Sequence, residues 1–278
     1  MTSFKFMLAP LEDYSDNALR TLCFRHGAEL TFTEMARVEG LVRNNKPTLA
    51  KIKISDETPV QIQLLASREE QLEKFLQNFK TFSGFEGFNL NLCCPSESVL
   101  KAGRGCAMVK RVSKTSRLVS IIRKQGYPVS LKLRLGTNDY EKKHKVYLNL
   151  IKGIEADFFV VHAKTGEQRS AEPADFSVFP ECVEAANGKE IIANGGIDSA
   201  EKVRELQKTG VSGVMIGRAA MRNPAIFDVL KNGCGYNTPN KKIPPIHELK
   251  NEYLELAERF NAPKKYRENL LKEFSKKN

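Results

Sequence analysis

Two adjacent thiols, Cys93 and Cys94, stand between the run Asn89-Leu90-Asn91-Leu92 and Pro95. A cysteine so placed can serve as an acid, a nucleophile or a small core residue. Two asparagines within an apolar run must find hydrogen-bond partners if the run is buried. A glycine loop, Ala102-Gly103-Arg104-Gly105-Cys106, follows. Further on, Lys132 and Arg134 alternate with Leu131 and Leu133. At period two both cations share one face, and buried cations call for an anion or an electron-rich ring. His162 ends the run Val160-Val161 and precedes Ala163-Lys164-Thr165. It reads either as a contact to a phosphate or a ring heteroatom, or as a structural imidazole. Asn194-Gly195-Gly196-Ile197 and Gly217-Arg218-Ala219 bring glycine N–H groups close to helix starts, an arrangement that suits a phosphate. Arg218 adds a planar donor fork. Ala9-Pro10-Leu11-Glu12-Asp13 holds a stiff proline turn that could lie flat against a planar ligand or be a plain turn. Gln63, on one face with Gln61, offers a donor and an acceptor to a heterocycle, or is a surface amide.

These residues lie at the exits of short apolar runs. Eight such runs precede residue 220: Lys5–Leu8, Glu29–Thr33, Val60–Leu64, Gly87–Leu90, Val129–Leu133, Phe158–Val161, Glu190–Ala193 and Gly213–Ile216. Near-continuous apolar character is expected of parallel strands buried on both faces. Amphipathic stretches alternate with them. One opens at Ser15, a capping residue, and ends before Gly27; another opens at Ser67 with Glu70 at capping-box spacing. Helices are also expected over 113–124, 140–153, 174–186 and 199–209. Eight strand–helix units point to an α/β chain folded as a (β/α)₈ TIM barrel, whose functional groups gather at the C-terminal ends of the strands. A doubly wound open sheet is the alternative. The connection 34–59 is long. Residues 1–230 are read as the barrel domain, 232–245 as a linker, and 241–278 as a short basic helical extension. That extension has ten Lys or Arg against six Glu, and either contacts a polyanion or merely caps the barrel.

The 278 residues carry a net charge of +11 and a pI near 9.3. A polyanionic partner is one reading and a Lys-rich soluble surface the other. The absence of Trp speaks against a dedicated aromatic platform for single strands. The six cysteines form no C-x-x-C pair and match no zinc spacing, so no metal is expected. No run of 18 apolar residues suggests a membrane span, and the first residues lack the pattern of a secretory signal. A cytoplasmic monomer with reduced thiols is the expectation.

As a set, in this order and spacing, these motifs resemble the tRNA-dihydrouridine synthase family over residues 5–230. The matching stretches are Ala9 to Asp13, Asn89-Leu90-Asn91 with Cys94-Pro95, Gly103 to Ala107, and Leu131 to Arg134. His162 to Thr165, Asn194 to Ile197, and Gly217-Arg218 with Asn223-Pro224 complete it. The resemblance implies a barrel holding FMN, with NADPH or NADH as reductant and a tRNA uridine as substrate. Hydride would pass from reduced FMN to uracil C6 and a proton from Cys94 to C5, after the base is extruded from the folded RNA. It implies that Asn91, Lys164 and Arg134 face the substrate. Ala9, Pro10, Leu11, Gln63, Lys132 and His162 would contact the flavin. Asn194, Gly195, Gly196, Gly217 and Arg218 would hold its phosphate end.

The sequence departs from the family pattern at three places. Cys93 stands where glycine is usual, Lys164 stands where arginine is usual, and the C-terminal helical region is short. Two rival readings remain at this point: an FMN-dependent barrel oxidoreductase of small molecules, and a non-enzymatic RNA-binding protein on a degenerate barrel.

Overall fold

The computed structural model describes residues 4–236, 242–274 and 276. Residues 237–241 of the expected linker and extension, and residues 275, 277 and 278, lie outside the described residues. Each short apolar run becomes a strand covered on both sides. The strands are β1 (Lys5–Leu8), β2 (Thr31–Phe32), β3 (Ala36–Arg37), β4 (Val60–Leu65), β5 (Phe85–Leu92), β6 (Val129–Arg134), β7 (Phe158–His162), β8 (Glu190–Asn194) and β9 (Gly213–Ile216). All pair in parallel, in the order β1-β9-β8-β7-β6-β5-β4-β2, with β3 added on β4. A parallel bridge between Met7 and Leu30, next to β2, joins the two ends. There the Leu8 N–H donates to the Leu30 carbonyl at 2.9 Å and the Glu29 N–H to the Phe6 carbonyl at 2.8 Å. This closure makes the fold a TIM barrel and excludes the open sheet.

Several boundaries differ from the sequence expectation, each for a local reason. The second strand is shorter than 29–33, and the long connection after it holds β3 and two short helices, Val38–Val42 and Lys46–Lys51. Asp16, not Ser15, caps the helix Asn17–Arg25, its carboxylate accepting from the Leu19 N–H at 2.9 Å. Ser15 instead ties the turn after β1, accepting from the Leu11 N–H at 2.6 Å. The capping box at Ser67 does not form: the helix Glu69–Gln77 starts after Arg68 without a side-chain cap, and Ser67 accepts from Arg104 Nε at 2.9 Å. The stretch 140–153 breaks into Asp139–Lys143 and Val146–Gly153, because Lys145 takes a left-handed conformation with φ 51°. Within 174–186, regular helix begins at Phe179, after a tight turn over Phe176–Val178.

The helix Ile246–Arg259 packs back onto the helix Asn17–Arg25, and Lys264–Phe274 packs against Ile246–Arg259 and the short helix Arg218–Arg222. Leu249, Tyr253, Leu256, Leu270 and Phe274 are buried there, each contributing about 1.5–3 kcal/mol. Polar contacts fix the docking: His26 Nε2 to Glu252 at 2.8 Å, Lys265 to Asp13 at 2.7 Å, and Tyr253 donating to Asp16 at 3.4 Å. Among the described residues no helix is long and apolar enough to cross a membrane.

Candidate active site

The barrel interior is divided. Met7, Phe32, Phe158, Val160, Ile192 and Met215 form an apolar cluster. Against it, β4, β5 and β6 turn a row of buried polar side chains inward, and these satisfy one another. Gln61 accepts from the Ser130 hydroxyl at 2.5 Å, and Ser130 accepts from the Asn89 amide at 2.7 Å. Asn89 accepts from Gln63 at 2.7 Å, and Gln63 accepts from Asn91 at 2.7 Å. The ladder ends at the thiols: Asn91 Oδ1 accepts the N–H of Cys93 at 3.0 Å and of Cys94 at 2.9 Å. Buried amides are costly unless paired, so this row fixes the exit of β5 from below. From above, the Cys106 N–H donates to the Cys94 carbonyl at 3.0 Å. Gly105, at φ +55°, packs so closely that a Cβ there would lie 2.5 Å from that same carbonyl oxygen.

The two thiols face different surroundings. Cys94 is half-buried, and its sulfur lies 3.5 Å from the Ser96 hydroxyl. Cys93 is buried, its sulfur accepting from Lys132 Nζ at 3.3 Å and lying 3.9 Å from His162 Nδ1. Both line a cleft of about 190 Å³ with Pro10, Glu12, Met35, Gln63, Asn91, Lys132 and Arg134.

Strand register sets the next row. Asn91 pairs with Lys132, Arg134 with His162, and His162 with Asn194. Lys132 Nζ donates to Asn194 Oδ1 at 2.9 Å, and Asn194 donates to the Met215 carbonyl at 2.8 Å. Lys132, Arg134, His162 and Asn194 line a cleft of about 430 Å³ with Ala9, Pro10, Leu11, Lys164, Gly195, Gly196, Gly217 and Arg218. A further space of about 420 Å³ continues past Arg218 to Arg222 and Asn223. The 430 Å³ cleft has four cations and no carboxylate on its walls. Burial, then Lys132, Arg134, Lys164 and Arg218, hold His162 down to about 2, so its imidazole is neutral at physiological pH. Burial, then Arg218 and Arg134, hold Lys164 below the usual lysine range. Arg134 donates to the Thr165 carbonyl at 2.5 Å, while its Nε is buried without a partner. Gly195, at φ +136°, admits no side chain: a Cβ would sit 2.7 Å from that of Ala174 and 3.3 Å from the His162 ring.

The structure thus brings all the residues named from sequence to one end of the barrel. Their freedom differs. Inside the ladder Asn91 makes three side-chain hydrogen bonds and Gln63 two, and Lys164 bonds the carbonyls of Arg169 and Ser170 at 3.2 and 3.0 Å. Sequence reasoning named Glu12 only as part of the proline turn after the first strand, and did not single out Met35 or Arg222 as lining residues, nor the contact between Cys93 and Lys132. Nothing in spacing alone marks Met35 or Arg222, which lie outside the strands, and the contact of Cys93 with Lys132 depends on how β5 sits against β6.

Comparison with known proteins supplies the remaining observation. The family model described as dihydrouridine synthase matches residues 7–276. A tRNA-dihydrouridine synthase B of Xanthomonas campestris is 29% identical over 226 residues, covering 80% of this chain and 68% of that protein. A probable tRNA-dihydrouridine synthase of Helicobacter pylori is 30% identical, covering 81% of this chain and 69% of its own length. A human protein named tRNA-dihydrouridine(47) synthase NAD(P)(+)-like is 28% identical, and the chain spans only 35% of it. Among solved structures, DHODH of Eimeria tenella in complex with ferulenol is similar with a TM-score of 0.55 at 12% identity, covering 82% of this chain and 79% of that one. Morphinone reductase gives 0.53 at 11% identity, covering 85% and 88%. At such identities these likenesses speak to the fold alone.

Proposed function

The chain belongs to the dihydrouridine synthase family, and from that premise we propose that it reduces the C5–C6 double bond of a tRNA uridine, with FMN in the cationic cleft and NAD(P)H as electron source. The observation that carries this reading is the meeting of two clefts: a cationic one without carboxylates and a thiol-lined one, sharing Pro10, Pro95, Lys132 and Arg134. The residues present fit FMN. Four cations and an unpartnered Arg134 Nε suit an anionic, heteroatom-rich group, and the bare backbone of Gly195, Gly196 and Gly217 leaves room for its close approach.

When bound, FMN supplies the hydride that uracil C6 accepts. The chain's own residues do the rest. Lys132 Nζ, held by Asn194, points a cation at the cleft, and His162, being neutral, adds no second charge beside it. Arg218 and the glycine loops at the ends of β8 and β9 take the phosphate end, with Arg222 beyond them. Pro10 gives the cleft a flat wall without an N–H. A hydride at C6 leaves negative charge on the uracil C5 and carbonyl system, so an acid must stand within hydrogen-bond reach of C5. Cys94 is that acid: of the two thiols it is the one on the open side of the turn, and Asn91 and Gly105 fix its position. Asn91, Arg134 and Lys164 line the space left for the base. The basic surface, including the helical extension, meets the RNA backbone. The enzyme acts in the cytoplasm, as a monomer.

Separated half-reactions test this assignment. Cys94→Ala should still bind FMN and still be reduced by NADPH, but form no dihydrouridine in unmodified tRNA. Full turnover by that variant contradicts the role given to Cys94. Turnover of free uridine-like bases without any need for tRNA favours the small-molecule oxidoreductase instead.

A further inference from the structure

We propose that Cys93 is a positioning residue: its sulfur holds the Lys132 ammonium and so sets how strongly that cation acts on a flavin ring in the cleft. The inference rests on the reading that FMN occupies this cleft.

An ammonium has three N–H donors. Asn194 Oδ1 takes one at 2.9 Å and the Cys93 sulfur takes another at 3.3 Å. One donor is left for a ligand. The sulfur also lies 3.9 Å from His162 Nδ1, so a single side chain joins two residues on the cleft wall. Cys93 is only 8% exposed, and its backbone N–H is fixed by Asn91. Its side chain therefore has little freedom to leave Lys132. Cys94 has no such contact, which separates the duties of the neighbours: one thiol faces the substrate space, the other faces the cation.

Electrostatic consequences follow directly. A cation beside a ring favours the more electron-rich, reduced form of that ring, and does so most strongly in a water-poor site with fixed geometry. A sulfur that accepts one of the N–H bonds diverts part of that effect. With alanine at 93, Lys132 regains a donor for the cleft. Cys93 acts only through Lys132, so its effect must vanish when the cation is removed, the condition a double-mutant cycle measures.

The test is a redox titration of bound FMN, followed by visible absorption, in the wild type, Cys93→Ala, Cys93→Ser and Lys132→Met, and in Lys132→Met combined with Cys93→Ala. Cys93→Ala should shift the midpoint potential upward and perturb the flavin bands. Cys93→Ser, whose hydroxyl also accepts a hydrogen bond, should restore most of the wild-type value. In the Lys132→Met background the alanine substitution should change nothing. An unchanged potential in flavin-bound Cys93→Ala overturns the inference, and so does a shift that persists without Lys132. A wild type that binds no FMN overturns the cofactor reading itself, a distinct result visible before any variant is made.

Discussion

Asn91 carries more of the site than its size suggests. One carboxamide accepts two backbone N–H groups at the thiol turn and donates to Gln63; the bonds to Gln63 and Cys93 are buried and that to Cys94 is partly so. Asn91→Ala leaves two N–H groups and one carbonyl oxygen without partners, which should cost roughly 2–4 kcal/mol in urea unfolding. It should also lower uridine reduction by more than it lowers FMN reduction by NADPH. A variant as stable as wild type would mean that water replaces the amide and that the ladder is not what holds Cys94. At this scale the sequence was partly legible. Period two put Lys132 and Arg134 on one face, and two asparagines in an apolar run announced that they needed partners. Which partners could not be read, because Asn91 reaches Gln63 on β4 and Asn89 reaches Ser130 on β6 only through the way β5 pairs with its two neighbours. Cys93 is the plainest example, since only the folded barrel brings its sulfur to Lys132.

Strands were more legible than helix ends. Buried parallel strands leave a continuous apolar record, and all eight expected runs lie in or overlap strands. Caps depend on single hydrogen bonds, and tertiary contacts decided them: Arg104 drew Ser67 away from the helix it was expected to cap. Asp16 shows what such a cap can cost. Burial pushes its carboxyl from 3.8 up to about 6, only partly offset by the Leu19 N–H, Arg20 and Tyr253. A folded-state value above the unfolded one means the protonated form is the better tolerated. The stability tied to Asp16 is therefore fully present below about pH 4 and is lost as the pH rises through 6. A shift of this size corresponds to about 3 kcal/mol. Asp16→Asn keeps the acceptor for Leu19 but cannot ionise. It should be more stable than wild type at pH 7, with the gap closing toward pH 4 in parallel urea titrations. Equal stability of the two proteins at both pH values would refute this account of the cap.

The whole molecule combines a barrel readable from its alternating elements with a tail whose placement was not readable. Basic composition marked the extension, but only the structure shows Tyr253 and Leu249 buried against the helix that follows β1. The tail is thus part of the rim of the barrel, and its charges join those of the barrel surface. With a net charge of +11, the attraction to tRNA should be strongly screened: the KM for tRNA should rise about tenfold or more between ~50 and ~200 mM salt, with the bands of bound flavin unchanged. A salt-independent KM would place recognition outside backbone electrostatics. The central claim, that one cleft holds a flavin and serves a tRNA uridine, is tested most directly by the visible spectrum of the purified protein under anaerobic conditions. Flavin bands should bleach on adding NADPH and return on adding unmodified tRNA. Bands that bleach and stay bleached in the presence of tRNA, or a protein that takes up no flavin on reconstitution, would contradict it.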